Sequence, residues 1–334
     1  MCSALTIRSS GPSSAAAELK RQASFMLSAF SRFFLLALLT LVVLPSIAQV
    51  NVTVSPEYRA IHYSRKITLK PGQMETVDLH KNDFDDSYQV FHSTNGGGVV
   101  SLVVLDGRDR AKNNSNPVPL LKRSLSGLGS VAISRPESSK GSIAVFINRG
   151  RWPIDMSLRI DRVGLRPESV RMQVRNFVQI PFQSLNSVYL LPPINVTVRP
   201  CGQVNAFSSP NITVCSELIA DLVDKQLPHA LIPILLHELG HSLLFLWKLP
   251  GYDNEELVDE FAGVLLAKHS PEVLREFINW FETQDPVAEA VAHLASAGKH
   301  PLSLQRAKSM RILTENSDAA FRKWSKVLGP HMRN

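Results

Sequence analysis

ILLHELGHSLLFLWKLPGYDNEELVDEFAG, residues 234–263, sets His237, Glu238 and His241 into a run otherwise made almost entirely of leucine and aromatic residues, then turns at Pro250-Gly251 and becomes acidic. On an α-helix His237 and His241 project from one face about one turn apart. That spacing lets two ring nitrogens reach a single zinc ion at about 2.0–2.1 Å. Glu238 lies about 100° further round, placed to reach a metal-activated water rather than the ion. The flanks LIPILL and SLLFLW are apolar nearly all round, which predicts a buried helix. Burying two imidazoles and a carboxylate without partners would cost several kcal/mol, and a metal would offset that cost. Gly240 inside the helix costs about 1 kcal/mol relative to alanine, so a close approach by another backbone or by substrate is expected there. The bland alternative is a pair of satisfied core histidines.

A catalytic zinc needs a third protein ligand and an open fourth position. The segment NEELVDEF offers Glu255 and Asp259 one helical turn apart, and Glu256 and Glu260 offset from them by one residue. Only one pair can face the metal. Leu257, Phe261, Val264 and Leu265 mark the apolar face, which favours Glu255 as ligand and Asp259 as acceptor of a ligand histidine's other N–H. Glu256 and Glu260 are then solvated.

Outward from this stretch, the second half reads as α+β: strands in NVTVR and NITVC, then helices from SELIADLVDKQL onward, including 229–249, 254–269, 271–284, 286–298, 302–316 and 318–328. The first half differs. From Asn51 to about Val163, short alternating runs such as METVDL, YQVFHS, VVSLVVL and SIAVFIN are separated by the turn clusters KPGQ, TNGGG and NRG. Strands at this spacing predict an antiparallel, jelly-roll-like sandwich. The expected organisation is therefore a signal peptide over 1–48, a β-sandwich-like accessory domain over 49–164 and a zinc-binding α+β domain over 165–334. A substrate-binding module, an inhibitory prodomain and a surface-attachment domain all suit the β region.

Phe33 to Leu44 is an uncharged apolar run preceded by Lys20, Arg21 and Arg32 and followed by PSIAQ, the layout of a secretory signal with cleavage after Ala48. Met26 as the true start would make that signal compact. The run is shorter than the roughly 20 residues a spanning helix needs, so the expectation is a secreted or periplasmic protein with no stable membrane span. An uncleaved anchor is the alternative. Cys2 falls in that leader, which leaves Cys201 and Cys215 as an even pair: a disulfide in an oxidising compartment, or two buried thiols. The net charge of +7 is partly carried by the leader, and no basic run is interleaved with aromatics, so nucleic acid is not an expected partner. Hydrophobic content of 44% and charged content of 19% exclude a disordered chain.

HELGH followed by ExxxD on the next helix resembles the gluzincin metallopeptidases, of which thermolysin is the type. The run LPPINVTVRPCGQVNAF through HELGH, LPGYDNEELVDEFA and HPLSLQRA is most similar to an uncharacterised bacterial metallopeptidase family. The resemblance spans about 175–310. It implies zinc on His237, His241 and Glu255, Glu238 as general base, and a peptide or protein substrate. It also implies that Asn205 and Ala206, in CGQVNAF, lie on an edge strand that pairs with the substrate backbone. Two features depart from the thermolysin pattern. Thirteen residues separate His241 from Glu255, so the subdomain between them must be trimmed. The residue that stabilises the oxyanion is not marked either. His300 is the catalytic candidate, with Arg306 behind it and Tyr252 as runner-up, and a helix-start role before Pro301 is the alternative for His300.

The expected function is peptide-bond hydrolysis by metal-activated water with Glu238 as general base, in a secreted zinc endopeptidase. A catalytically inactive or latent metal-binding envelope protein acting as a binding module is the alternative, and a hydrolase of non-peptide substrates would use the same ligands.

Overall fold

The computed structural model describes residues 50–79, 87–107, 119–134, 141–284 and 303–333. The expected signal peptide, its cleavage site at Ala48, the helix expected over 286–298 and His300 lie outside these residues. The described residues form one compact unit.

Eight strands build a double-sheet sandwich: β2 (Glu57–Leu69), β3 (Met74–Leu79), β4 (Ser87–Thr94), β5 (Val100–Asp106), β6 (Leu121–Leu125), β7 (Leu128–Ile133), β8 (Ser142–Asn148) and β9 (Ile154–Leu165). One sheet has the order β2-β9-β4-β7 and the other β3-β8-β5-β6, all neighbours antiparallel. This is the jelly-roll arrangement of two interleaved Greek keys. Side-chain alternation sets it: along β4, Tyr88, Val90, His92 and Thr94 face inward while their neighbours face out. The two inner faces share a core that includes Leu69, Leu102, Phe146 and Leu158.

A third sheet belongs to the C-terminal half. Its order is β1-β10-β12-β11, where β1 is Asn51–Val54, β10 Asn195–Arg199, β11 Ala206–Ser208 and β12 Ile212–Cys215. β1, β10 and β12 run parallel, and β11 is an antiparallel edge. Asn51–Val54, counted with the accessory domain in the sequence, is thus an edge strand of the other half's sheet. Alternation in NVTV is common to both settings, and only long-range pairing with Asn195–Val198 distinguishes them. Around this sheet stand α1 (Glu168–Val188), α2 (Ser216–Asp224), α3 (Leu231–Leu246), α4 (Glu255–His269), α5 (Pro271–Glu282), α6 (Ser303–Glu315) and α7 (Asp318–Leu328). Their shared core joins Val196, Val198 and Val214 to Leu235, Leu239, Phe261 and Phe277.

α1 is not anticipated by the sequence pattern. Pro181 lies inside it, and proline is a poor helix-interior residue; burial of Val178, Pro181 and Phe182 against the sheet outweighs that penalty. The halves meet where β2 and β9 leave the sandwich. Arg166 N–H donates to Pro56 O at 2.7 Å, the Ser216 hydroxyl accepts from Arg59 N–H and donates to Arg59 O, and Arg159 reaches Gly202 O at 2.6 Å.

Candidate metal centre

α3 is apolar on nearly every side, so packing alone buries it. His237 and Glu238 are buried with it. The segment Pro228–Leu246 is long and apolar enough to cross a membrane by length and composition, yet most of it is enclosed by this protein's own core. α3 ends in a tight reversal: Leu249 N–H bonds Leu244 O at 2.8 Å, and Lys248 takes the left-handed conformation, φ 56°, that ends many helices. Gly251 follows at φ +83°, where a Cβ would sit 2.7 Å from Leu257 Cδ2. Asn254 then caps α4 by accepting Leu257 N–H at 3.0 Å. The short link between His241 and Glu255 is therefore a compact turn that lays α4 beside α3. Gly240 is the contact point, since a Cβ there would lie 3.1 Å from both Phe261 Cδ1 and Val258 Cβ. The close neighbours are side chains of α4, not the backbone or substrate expected from the sequence.

This hairpin brings His237, His241 and Glu255 together, with their donor atoms all within 4.8 Å of one another. His237 Nε2 and His241 Nε2 are 3.2 Å apart, and the Glu255 carboxylate is 3.2 Å from the first and 3.5 Å from the second. Ligands about 2.0–2.1 Å from a common tetrahedral centre are about 3.3 Å apart. Both Nδ1 atoms are used elsewhere: His237 Nδ1 donates to Asp259 Oδ1 at 2.7 Å, and His241 Nδ1 to Tyr252 O at 2.6 Å. These bonds fix the tautomers and turn both Nε2 lone pairs toward the Glu255 carboxylate. A knot of three acceptors with no donor among them calls for a cation, and two imidazoles with one carboxylate suit zinc.

Where no metal sits between them, the same acceptors draw protons onto the rings. Burial opposes the charge on His237, but hydrogen bonds to Asp259 and Glu255 outweigh it and raise its proton affinity to about 9. Burial would likewise raise Glu255, yet its bonds to His237 and His241 hold it far below the ordinary carboxylate range. Asp259, also buried, is drawn down to about 2 by Arg306 and His237. Burial pushes the Glu238 carboxyl up, against the pull of the two histidines.

Glu256 is exposed, while Glu260 bonds Lys323 Nζ and Trp324 Nε1, so neither competes with Glu255 for the site. Arg306 is committed to Asp259 through two bonds of 2.7 Å and lies over the Phe281 ring at 4.5 Å. Tyr252 contributes its carbonyl, and its side chain is half-exposed. That carbonyl is invisible in the sequence, because a backbone acceptor carries no residue signature. Asn205 leads into the edge strand β11, where Ala206 pairs with Val214. Asn205 O accepts Cys215 N–H at 3.0 Å.

Cys201 and Cys215 form a disulfide with Cα atoms 5.2 Å apart. Glu217 lies close enough to complete a second acceptor cluster. Its thiols are bonded to each other, however, and the Glu217 carboxylate accepts the N–H groups of Cys201 and Gly202 instead.

The His/His/Glu triad beside Glu238 is of the gluzincin type, and the chain carries it on two adjacent helices behind a β-rich region. Residues 166–322, which hold all three ligands, match the sequence profile of a family described as "Putative metallopeptidase". No curated protein sequence matches the chain significantly. Among solved structures, partial similarity reaches PirA (16% identity, 31% of this chain and 94% of that one, TM-score 0.22). It also reaches a Yersinia pseudotuberculosis-derived mitogen (14%, 32% and 86%, TM-score 0.23). A third is the N-terminal cellulose-binding domain of a Cellulomonas fimi β-1,4-glucanase (10%, 34% and 88%, TM-score 0.20).

Proposed function

We propose that the protein is a secreted or envelope-located zinc endopeptidase. The observation that carries this reading is the convergence of His237 Nε2, His241 Nε2 and the Glu255 carboxylate beside the buried, non-ligating Glu238. His237, His241 and Glu255 would hold the ion, with Asp259 and the Tyr252 carbonyl orienting the two rings. A zinc ion, when bound, supplies Lewis-acid polarisation of the attacking water and the scissile carbonyl. Glu238 would be placed to take a proton from an attacking water as the water oxygen joins the carbonyl carbon, and to return it to the leaving amine as the C–N bond breaks. A carboxylate kept from the metal has no place in a purely structural site, which favours an enzyme over a binding module. Asn205 and Ala206 lie at and before the outer edge of the sheet, where an extended peptide could add as a further strand. The apolar leader supports export, as does the disulfide.

The test compares the zinc-loaded protein with its Glu238→Gln variant on a mixed peptide library, with products read by mass spectrometry and zinc content by elemental analysis. Cleavage by the parent alone, with one zinc in each, is the expected result. Equal zinc and no cleavage by either would replace this reading with a latent or binding protein.

A further inference from the structure

The loops joining β2 to β3 (70–73), β4 to β5 (95–99), β6 to β7 (126–127) and β8 to β9 (149–153) all lie at one end of the jelly roll. The registers require it: Leu69 pairs with Ile154, Thr94 with Met156, Ser93 with Leu128, Met74 with Ile147, and Val100 with both Asn148 and Leu125. This end is remote from the junction with the helical half, since β2 runs from Arg59 to Leu69 over roughly 33 Å.

Four large apolar side chains stand in solvent here: Met74 (58% exposed), Val99 (49%), Leu128 (88%) and Trp152 (79%). The loop sequences KPGQ, NGGGV, SG and RGRWP contribute Lys70, Arg149 and Arg151 and no carboxylate. The nearest acids along the strands, Glu75 and Asp155, already bond Tyr63 and Thr68, each at 2.6 Å.

The exposure is built in. Buried Asn148 donates to Trp152 O at 2.7 Å and Leu69 O at 2.8 Å, and accepts Gly150 N–H at 2.8 Å. Thr94 and Gly127 exchange bonds of 2.9 and 2.8 Å, and the Thr94 hydroxyl donates to Gly98 O. A backbone fastened this firmly holds its apolar side chains outward without further ordering on binding.

We propose that this end of the sandwich docks on an anionic phospholipid surface, with Trp152 and Leu128 at the headgroup–acyl boundary and Lys70, Arg149 and Arg151 against the headgroups. Exposed apolar side chains gathered at one place on a surface and edged by charge mark an interaction site. Tryptophan favours the membrane interface, where its ring is half apolar and its N–H is wet. The three cations and the absence of acids on the loops complement negative lipid, each cation contributing about a factor of five in affinity. A saccharide platform stacks sugars on several rings, whereas these tips present a single aromatic side chain among aliphatic ones. The inference is independent of the metal centre.

The test uses the full chain and vesicles of phosphatidylcholine with or without phosphatidylglycerol, the acyl chains brominated to quench nearby tryptophan. The wild-type minus Trp152→Phe difference isolates Trp152 emission. Quenching of that difference in anionic vesicles only is expected. Replacing Lys70, Arg149 and Arg151 together by serine should weaken the effect by about two orders of magnitude, with melting temperatures unchanged. No quenching of the difference in either vesicle, or quenching indifferent to the three cations, would overturn the proposal. So would retention on an insoluble polysaccharide that Trp152→Ala abolishes while lipid quenching is absent, which would assign the surface to carbohydrate.

Discussion

Arg306 and Asp259 share two hydrogen bonds of 2.7 Å directly behind the 2.7 Å bond that Asp259 accepts from His237. The guanidinium comes from α6, the carboxylate from α4 and the imidazole from α3, so one chain of charge-assisted bonds ties three helices to the metal centre. Removing the arginine leaves a buried carboxylate whose remaining partner among the described residues is the imidazole. Arg306→Met is expected to lower stability by about 3–5 kcal/mol, measured by urea unfolding. Asp259→Asn keeps the shape but supplies a weaker acceptor, and its zinc affinity should fall about 10–100-fold in a chelator competition. Unchanged zinc affinity in Asp259→Asn would show that Asp259 does not orient the ligand.

Gly240 sets the spacing between the two ligand-bearing helices. Alanine there gains about 1 kcal/mol of helix propensity, but its methyl would meet Val258 and Phe261 at 3.1 Å. Overpacking costs about 1–3 kcal/mol, so Gly240→Ala should be net destabilising. Its effect should also reach Glu255, on the helix pushed away, as reduced zinc affinity. A variant with parental melting temperature and zinc affinity would show that the helices have room to spare.

The Cys201–Cys215 disulfide closes a short loop that begins after β10 and contains β11. Loop closure of this length stabilises by about 3 kcal/mol. The double Cys→Ser variant should lose about that much in denaturant titration. The edge strand should also show faster amide exchange, because Ala206–Ser208 is held on one side only.

His92 offers a test of acid stability away from the metal. It is buried under β7, where Gly129 leaves room for its ring: a Cβ there would be 2.8 Å from His92 Nε2. Burial lowers its pKa below the usual 6.5, against a hydrogen bond to Gly127. The unfolded chain therefore takes up a proton as pH falls through 6.5 while the folded chain resists. Stability is full above that pH and declines below it until the folded pKa is reached. His92→Phe should flatten this decline, read as melting temperature between about pH 7.5 and 5. An equally steep decline in the variant would place the acid sensitivity elsewhere.

Much of the site was legible because its chemistry is local. His237, Glu238, His241, Glu255 and Asp259 are spaced by helical geometry, and little besides a metal would draw such residues into an apolar helix pair. The sandwich was legible from two-residue alternation, as along β4. What escaped depends on contacts between distant residues. Asn51–Val54 alternates as any strand does, and its place is decided by Asn195–Val198. Pro181 argued against the helix that surrounds it. The partner of Arg306 is Asp259, a pairing that no spacing announces.

The pairing of β1 with β10 has a topological consequence. The chain begins the sheet of the helical half, departs after Val54, completes the whole sandwich, and re-enters at Arg166, whose N–H bonds Pro56 O. The sandwich is thus an insertion whose two ends touch, not a module strung ahead of the metal centre. A single proteolytic nick in either crossing would leave it attached; two cuts would be needed to release it. Even then β1, Asn51–Val54, would stay behind in the sheet as part of a separate N-terminal piece. The same adjacency means that a short bridge from Ser55 to Arg166 could excise the sandwich and leave the sheet beside the His/His/Glu cluster complete.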